Sequence, residues 1–285
     1  MASPASFILA DLKQVFGDLP MNTSALADGM PAMDNIPTTV SELKNMWQRI
    51  SGTVAVYEFY GHNQEIWGPS APLSNFWVDT FPFHIPEVLL QRLPQVHEAL
   101  PDGPALHVTC SETAIMLMKA ILCEDFDSFE KIRKADKTEG AKAVKLLGRD
   151  IKNFDQQEWD KWVVFIAIQA VTQKFKHCDS LRCCLAATDK CIIAETVADD
   201  TNWATGSNPL EPENQRPCAW RGLNILGLAL IVARYILKVD KSQMSMPPEE
   251  HEEKHQQGLK QGRERLLKKQ AIAVKKPRSE DLSFR

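Results

Sequence analysis

Residues 224–237 constrain the fold most, because their side chains are apolar around most of the circumference of a helix. A helix that is hydrophobic all round is buried, so this pattern predicts a central helix. A second helix is predicted by the 3-4 spacing of Trp159, Val163, Ile166, Ala170 and Lys174 along one face. Helices are therefore expected to dominate the chain after about residue 110.

Shorter patterns predict the remaining elements. Further helices are expected at residues 40–50, 88–90, 180–187 and 249–269, the last one solvated, with acids first and bases last. Ser111 can cap a helix that runs through Ala120, and Asp136 with Glu139 fits the start of another that ends at Gly148. Residues 54–59 and 191–194 have strand patterns, and the aromatic-rich stretch 73–83 is a further candidate. Because of its prolines, most of the segment 84–109 is predicted to be a long irregular connection.

Composition narrows the class of protein. The 285 residues are 44% hydrophobic and 25% charged, which allows a sizeable core. No apolar run approaches the roughly 20 residues of a membrane helix, and the start lacks the basic region of a signal peptide. The seven cysteines include no C-x-x-C pair, which argues against a disulfide framework and against zinc. We expect an intracellular protein, in the cytoplasm or alternatively the nucleus, without a metal or cofactor.

The chain divides into three parts by composition. Residues 1–50 look like a partly helical N-terminal extension, with an amphipathic stretch at 7–16 and a Met-, Pro- and Ala-rich linker to about 38. Residues 51–240 form the predicted core domain. Residues 241–285 form a charged tail, in which 258–278 hold eight Lys or Arg and one Glu, a local charge of +7. Since the whole chain has a net charge of −4, the rest carries −11.

Two pairs of residues are the main candidates for chemistry. Glu112 and Lys119 are seven residues apart, so both project from one helix face, as an acid and a base serving one site or as an ordinary surface pair. Asp200 and Trp203 lie in a polar loop directly after an apolar strand. The loop could place Trp203 against a planar ligand, or Asp200 could simply satisfy backbone amides in a turn.

Weaker candidates have plainer alternatives. Trp159 could wall a pocket or cap the core, and Arg149 could bind phosphate or be a solvated residue after a helix end. Asn75 could shape a turn. Asn224 could cap its helix, whose N-terminus after Gly222 is also a good anion site. Neither a P-loop nor a Rossmann glycine fingerprint is present, and no Ser-His-Asp signature is visible.

Taken in order, these segments resemble the NADAR superfamily, also called YbiA-like proteins. The matching motifs are Tyr57-Glu-Phe-Tyr60 with Leu73-Ser-Asn-Phe76, Ser111-Glu112 with Lys119-Ala120, Leu147-Gly-Arg-Asp150, Trp159, Lys174-Phe175, Glu195 with Asp200, Trp203 and Gly206, and Gly222-Leu-Asn-Ile-Leu-Gly227 with Arg234. Each motif is weak alone, whereas seven in the same order are fairly specific.

The resemblance implies a mainly α fold with a small β element and hydrolysis of an N-glycosidic bond between ribose and a nitrogenous base. One branch of the family acts on phosphoribosylamino-pyrimidines of riboflavin synthesis, and another removes ADP-ribose from guanine. The resemblance to the family also implies essential roles for five positions, those of Glu112, Lys119, Trp159, Asp200 and Trp203. We therefore predict a site with two groups of residues. The catalytic group is Glu112, Asp200 and Lys119, and the substrate-binding group is Trp159, Trp203, Asn75, Arg149, Gly206 and Asn224.

The chain departs from the family pattern at several positions. Thr113 stands where the family has His, Ala204 stands where it has Gly, and residues 115–117 are apolar instead of polar. These changes keep one alternative open, a non-catalytic module that binds ADP-ribose or a nucleotide. The basic tail offers a second alternative, a protein that binds RNA or DNA through this tail.

Overall fold

The computed structural model of the protein describes residues 26, 27, 30–100, 103 and 105–275. In chain order they form the helices α1 (Val40–Arg49), α2 (Gln64–Trp67), α3 (Glu87–Leu90), α4 (Gln95–Ala99), α5 (Ser111–Leu122), α6 (Phe126–Thr138), α7 (Ala141–Leu147), α8 (Gln156–Lys176), α9 (Asp179–Ala186), α10 (Ile225–Ile236) and α11 (Pro248–Lys275). Within the described part, no helix is long and apolar enough to cross a membrane.

Among the described residues, four short strands form two small sheets. They are β1 (Val56–Phe59), β2 (Phe81–His84), β3 (Ala105–Val108) and β4 (Ile192–Glu195). β1 and β4 are parallel, with Phe59 opposite Glu195, although more than a hundred residues separate them in sequence. β2 and β3 are antiparallel, with Phe81 opposite Val108. The protein therefore has the mainly α fold with a small β element that the resemblance implied.

The core is built around the contact of α8 with α10. Nearly all side chains of α10 are buried, and α8 is buried from Trp162 to Phe175. α5 and α9 pack against α8, and β4 packs against α10. The predicted central helix is confirmed, and β4 gains a rigid support from it.

The described parts of both ends pack against the rest of the protein, α1 against α8 and α11 against α2. Trp47 on α1 is 2% exposed, and its Nε1–H donates to the Leu223 carbonyl oxygen at 2.6 Å. On α11, His255 and Leu259 are buried. The prediction of a solvated helix at 249–269 is therefore wrong for the side of α11 that faces the core. The domain boundaries at 50 and 240 remain predictions, and the stretch 7–16 lies outside the described residues.

Local sequence signals were wrong at two helix starts. Ser111 is the first residue of α5 and does not cap it; its Oγ donates to Asn75 Oδ1 at 2.9 Å instead. Asp136 does not begin a helix but lies inside α6, where it is buried and accepts hydrogen bonds from Thr109 and Thr113. In both cases the side chain that was expected to cap a helix instead forms a hydrogen bond with a residue more than 20 positions away in sequence. The segment 84–109, which its prolines predicted to be mostly irregular, also contains α4 and β3.

Candidate active site

An open cleft of about 540 Å³ lies where the start of α5 and the end of β4 meet the segment 74–78. It is lined by the acidic residues Glu112, Glu139, Glu195 and Asp200, the basic residues His62, Lys142 and Lys145, and the aromatic residues Tyr60, Phe76 and Trp203. Several elements thus converge on one concavity, as is common in ligand-binding sites. Within the described residues, no group of His, Cys, Asp and Glu side chains could hold a metal ion.

Glu112 occupies the first turn of α5 and is only 5% exposed. Its backbone N–H donates to the Asn75 carbonyl oxygen at 3.1 Å, which fixes the start of the helix at the cleft. Burial raises the pKa of the Glu112 carboxyl to about 7, although Lys145 opposes this effect and Asp200 adds to it. The carboxyl can therefore exchange a proton near neutral pH.

Asn75 is held in place by contacts behind the cleft. Its Oδ1 accepts the hydrogen bond from Ser111, and no partner for its Nδ2 is found in the described part of the chain. The fully buried Lys174 of α8 donates from Nζ to the Ser74 carbonyl oxygen at 2.9 Å and to that of Pro72 at 3.3 Å. This buried cation pins the segment that carries Asn75, so the Asn75 amide is preorganised to donate to a ligand.

Glu195, at the end of β4, is the second acid with a shifted pKa. Enclosure by protein raises its pKa to about 8, and the charges of Asp200 and Glu112 act in the same direction. The Asn224 side chain fixes the end of this strand, since its Oδ1 accepts from Glu195 N at 3.1 Å and its Nδ2 donates to the Ile193 carbonyl oxygen at 2.9 Å. At Gly227 a Cβ would lie 2.1 Å from that same carbonyl oxygen. Only glycine there lets α10 approach β4 so closely.

The loop after β4 carries Asp200 and Trp203 into the cleft. Asp200 Oδ1 accepts from the backbone N–H of Asn202 at 3.0 Å and of Trp203 at 2.8 Å. The turn interpretation is therefore correct for this oxygen, while Oδ2 has no hydrogen-bond partner among the residues that the structure describes. Trp203 is partly buried against the core and also lines the cleft.

The same loop covers the N-terminus of α10. Carbonyl oxygens of Thr201, Asn202, Trp203 and Ala204 accept from the amides of residues 223, 225, 226 and 224, respectively. The amides that were expected to offer an anion site are thus occupied, and that prediction is wrong. Asn224 supports the site from behind and does not line the cleft. Gly206, with φ +74°, turns the loop back towards Gly222 and likewise lies behind the lining.

A family model described as the NADAR domain matches residues 58–238, more than half of the chain. The chain belongs to the NADAR family. It is 31% identical over 124 residues to N-glycosidase R617 of Acanthamoeba polyphaga mimivirus, a match that covers 44% of this chain and 71% of the relative. It is 32% identical over 127 residues to Protein irg-1 of Caenorhabditis elegans, covering 44% of this chain and 58% of that protein.

A solved NMR structure, that of the E. coli protein YbiA, is also similar. The similarity covers 74% of this chain and 98% of YbiA, with 19% sequence identity and a TM-score of 0.46. The family match begins at Glu58 within β1 and ends just after α10, so every residue that lines the cleft falls within the NADAR domain.

Besides Asn224 and Gly206, three further predicted site residues of this NADAR domain lie outside the cleft lining. Lys119 Nζ donates to the Gly148 carbonyl oxygen at 2.7 Å and lies 4.4 Å from the Phe154 ring centroid and 5.7 Å from that of Trp159. Trp159 packs beside Phe154, with 6.3 Å between ring centroids. Arg149 is exposed just after α7. The charges of Lys119 and Arg149 reach the Glu112 carboxyl and oppose the rise of its pKa, but neither residue lines the cleft. The roles proposed for Lys119, Trp159 and Arg149 therefore stay predictions.

The residues at two departures from the family pattern lie outside the cleft lining. Thr113 is fully buried and donates its hydroxyl to Asp136, so it points away from the site. Ala204 is also fully buried, and its carbonyl oxygen accepts from Asn224 N at 3.1 Å.

Sequence reasoning missed Glu195 and Lys145 as site residues. Glu195 carried a signal, since it ends an apolar strand and precedes a polar loop. Lys145 carried no such signal in the sequence, because a lysine on a short helix is usually a solvent-exposed residue. In the structure its amine lies 5.0 Å from the Phe76 ring centroid, at the cleft.

Proposed function

We propose that this protein is an N-glycosidase that hydrolyses the bond between ribose C1′ and a nitrogen of a base. The single observation that carries the proposal is the meeting of Glu112, Glu195 and Asp200 at one cleft, where two of the carboxyls have raised pKa values. The name of the mimivirus relative, N-glycosidase, supports the same reaction.

The two shifted carboxyls suit the two halves of the reaction. Breaking the C1′–N bond sends its electron pair to the base and builds positive charge on the ribose. Glu195, whose pKa is about 8, is mostly protonated at pH 7 and can give its proton to the leaving nitrogen. Glu112, whose pKa is about 7, is partly ionised there and can stabilise the ribosyl cation and take a proton from the attacking water. The water oxygen forms the new bond to C1′.

The remaining lining offers contacts for the rest of the substrate. Trp203 presents a ring on which the base can stack, and Asn75 Nδ2 is available as a donor. Asp200 is a third carboxyl at the cleft, and its free Oδ2 suits ribose hydroxyls. Lys145, and not Lys119, provides the cation for a phosphate, because it is Lys145 that lines the cleft. The proposed substrates are therefore phosphoribosyl or ADP-ribosyl derivatives of a base.

The test is product analysis with the purified protein. It is incubated separately with ADP-ribosylated guanosine and with a phosphoribosylamino-pyrimidine, and the released base and sugar phosphate are quantified by chromatography. Hydrolysis of either compound, absent in a folded Glu112→Gln variant, is the expected result. Binding of ADP-ribose without any product from either compound would instead favour the non-catalytic binding module.

A further inference from the structure

Helix α11 lies outside the matched domain, yet it packs closely against the segment that leads into the cleft. It contacts α2 and the 3-10 turn Gly68–Leu73. His255 Nε2 is 2.7 Å from the Glu58 carbonyl oxygen of β1, and its ring stacks on Tyr57 with centroids 4.1 Å apart. A neutral carbonyl oxygen can only accept, so the Nε2 nitrogen carries the proton.

Two glycines of α11 lie where this helix packs against Trp67 of α2. At Gly262 a Cβ would lie 2.1 Å from the Trp67 ring, and at Gly258 one would lie 2.6 Å from the Trp67 carbonyl oxygen. Trp67 is only 6% exposed. Glycine inside a helix costs about 1 kcal/mol relative to alanine, so two of them four residues apart indicate a packing requirement.

On its other side, Trp67 supports the wall of the cleft. Its ring centroid is 4.3 Å from that of Tyr60, and its Nε1 lies 3.3 Å from where a Gly61 Cβ would stand. Tyr60 and Gly61 both line the cleft. Burial raises the pKa of the Tyr60 phenol, and the charges of Glu195 and Asp199 add to this effect, so the Tyr60 hydroxyl lies on the acidic side of the site.

We infer that α11 is part of the functional unit and that it positions Tyr60 and Gly61 in the cleft through Trp67. Tyr60 is then a substrate-contacting residue, and Trp67, Gly258 and Gly262 are positioning residues. The part of this inference that concerns turnover rests on the proposed N-glycosidase function. The part that concerns the position of Tyr60 rests on the packing alone.

The first experiment measures that position without any substrate. Hydrogen–deuterium exchange of residues 57–73 is compared between Gly262→Leu, the milder Gly262→Ala and the exposed neighbour variant Gln261→Leu as the matched control. Alanine is the better helix former, so any loosening in Gly262→Ala comes from the contact with Trp67. We expect exchange about tenfold faster or more in both Gly262 variants and no change in the control. Equal exchange in all proteins would overturn the inference.

The second experiment measures turnover of the substrate accepted in the product analysis. We expect Gly262→Leu to raise KM about tenfold with a smaller change in kcat, because a substrate-binding wall is displaced while Glu112 and Glu195 stay in place. In a Tyr60→Ala background the same substitution should add little. Faster exchange with an unchanged KM, or equal effects with and without Tyr60, would contradict the positioning role. If the wild-type protein hydrolyses neither compound, the proposed function fails and the exchange data alone decide the position of Tyr60.

Discussion

The two ends of α5 differ although seven-residue spacing places Glu112 and Lys119 on the same helix face. Glu112, at the N-terminal end, is buried beside a cleft shared with Glu195, Asp200 and Trp203. Lys119, two turns and about 10 Å further along the axis, bonds to the Gly148 carbonyl oxygen beside Phe154. A second, smaller cavity of about 280 Å³, lined by Glu124 among others, lies just beyond this end. Sharing a helix face therefore does not by itself place two residues in the lining of one cleft.

The largest expected effect separates the glutamates at the two ends. Glu112→Gln should lower kcat/KM by about 10² or more with the fold retained, since it removes an acid–base or charge-stabilising group. The same change at Glu124, which lines the other cavity, is the matched control and should leave kcat/KM within about twofold. Steady-state kinetics and circular dichroism measure both. Wild-type turnover by a folded Glu112→Gln protein would show that Glu112 is not the catalytic carboxyl.

The next effect separates the two lysines. Lys145→Met should raise KM for a phosphate-bearing substrate about tenfold or more, the effect of losing a hydrogen bond to a charged group. Lys119→Met should leave KM nearly unchanged and instead lower stability by about 1–2 kcal/mol, since it loses the bond to Gly148 and the contacts with two aromatic rings. The opposite pattern, measured by kinetics and chemical denaturation, would restore the role that the family resemblance implies for Lys119.

The two tryptophans provide a third contrast. Trp203→Ala should weaken ADP-ribosylated guanosine binding by about 1–3 kcal/mol, as expected for a lost stack with a base. Trp159→Ala, which disrupts packing with Phe154 outside the cleft, should mainly lower thermal stability. Titration calorimetry with inactive Glu112→Gln protein as the background prevents turnover during the measurement. A loss of affinity confined to the Trp159 variant would show that the ligand lies at the other end of α5.

The smallest effect concerns the outer face of α11. Lys260, Arg265, Lys268 and Lys269 are exposed, and we propose that they give the protein a weak, sequence-independent affinity for nucleic acid. Replacing all four by Gln should flatten the salt dependence of DNA binding, by up to about 0.9 in log–log slope for each lost contact, and leave hydrolysis of a small substrate unchanged. If the wild-type protein and the fourfold Gln variant show identical slopes over a salt series, these residues are excluded as a binding surface.

Periodicity alone predicted the central helices, because 3-4 spacing and all-round apolarity report directly on burial. The residues that meet at the cleft could be named in part, since Glu112, Asp200, Trp203 and Asn75 lie in recognisable motifs. Their partners could not, because the pairing of β1 with β4, which places Glu195 opposite Phe59 and next to Tyr60 of the cleft, is not encoded locally. The buried side of α11 was missed for a similar reason. The partner that explains Gly258 and Gly262 is Trp67, almost two hundred residues earlier.

The most direct test of the central claim is the pH dependence of kcat/KM between pH 5 and 10. Activity should rise as Glu112 ionises near pH 7 and fall as Glu195 loses its proton near pH 8, a bell-shaped profile. Lys174 has its pKa lowered by burial to about 8 as well, so the falling limb must be assigned by mutation. In Glu195→Gln the residual activity should keep the rising limb and lose the falling one. A profile without these two limbs, or an unchanged falling limb in Glu195→Gln, would contradict the account.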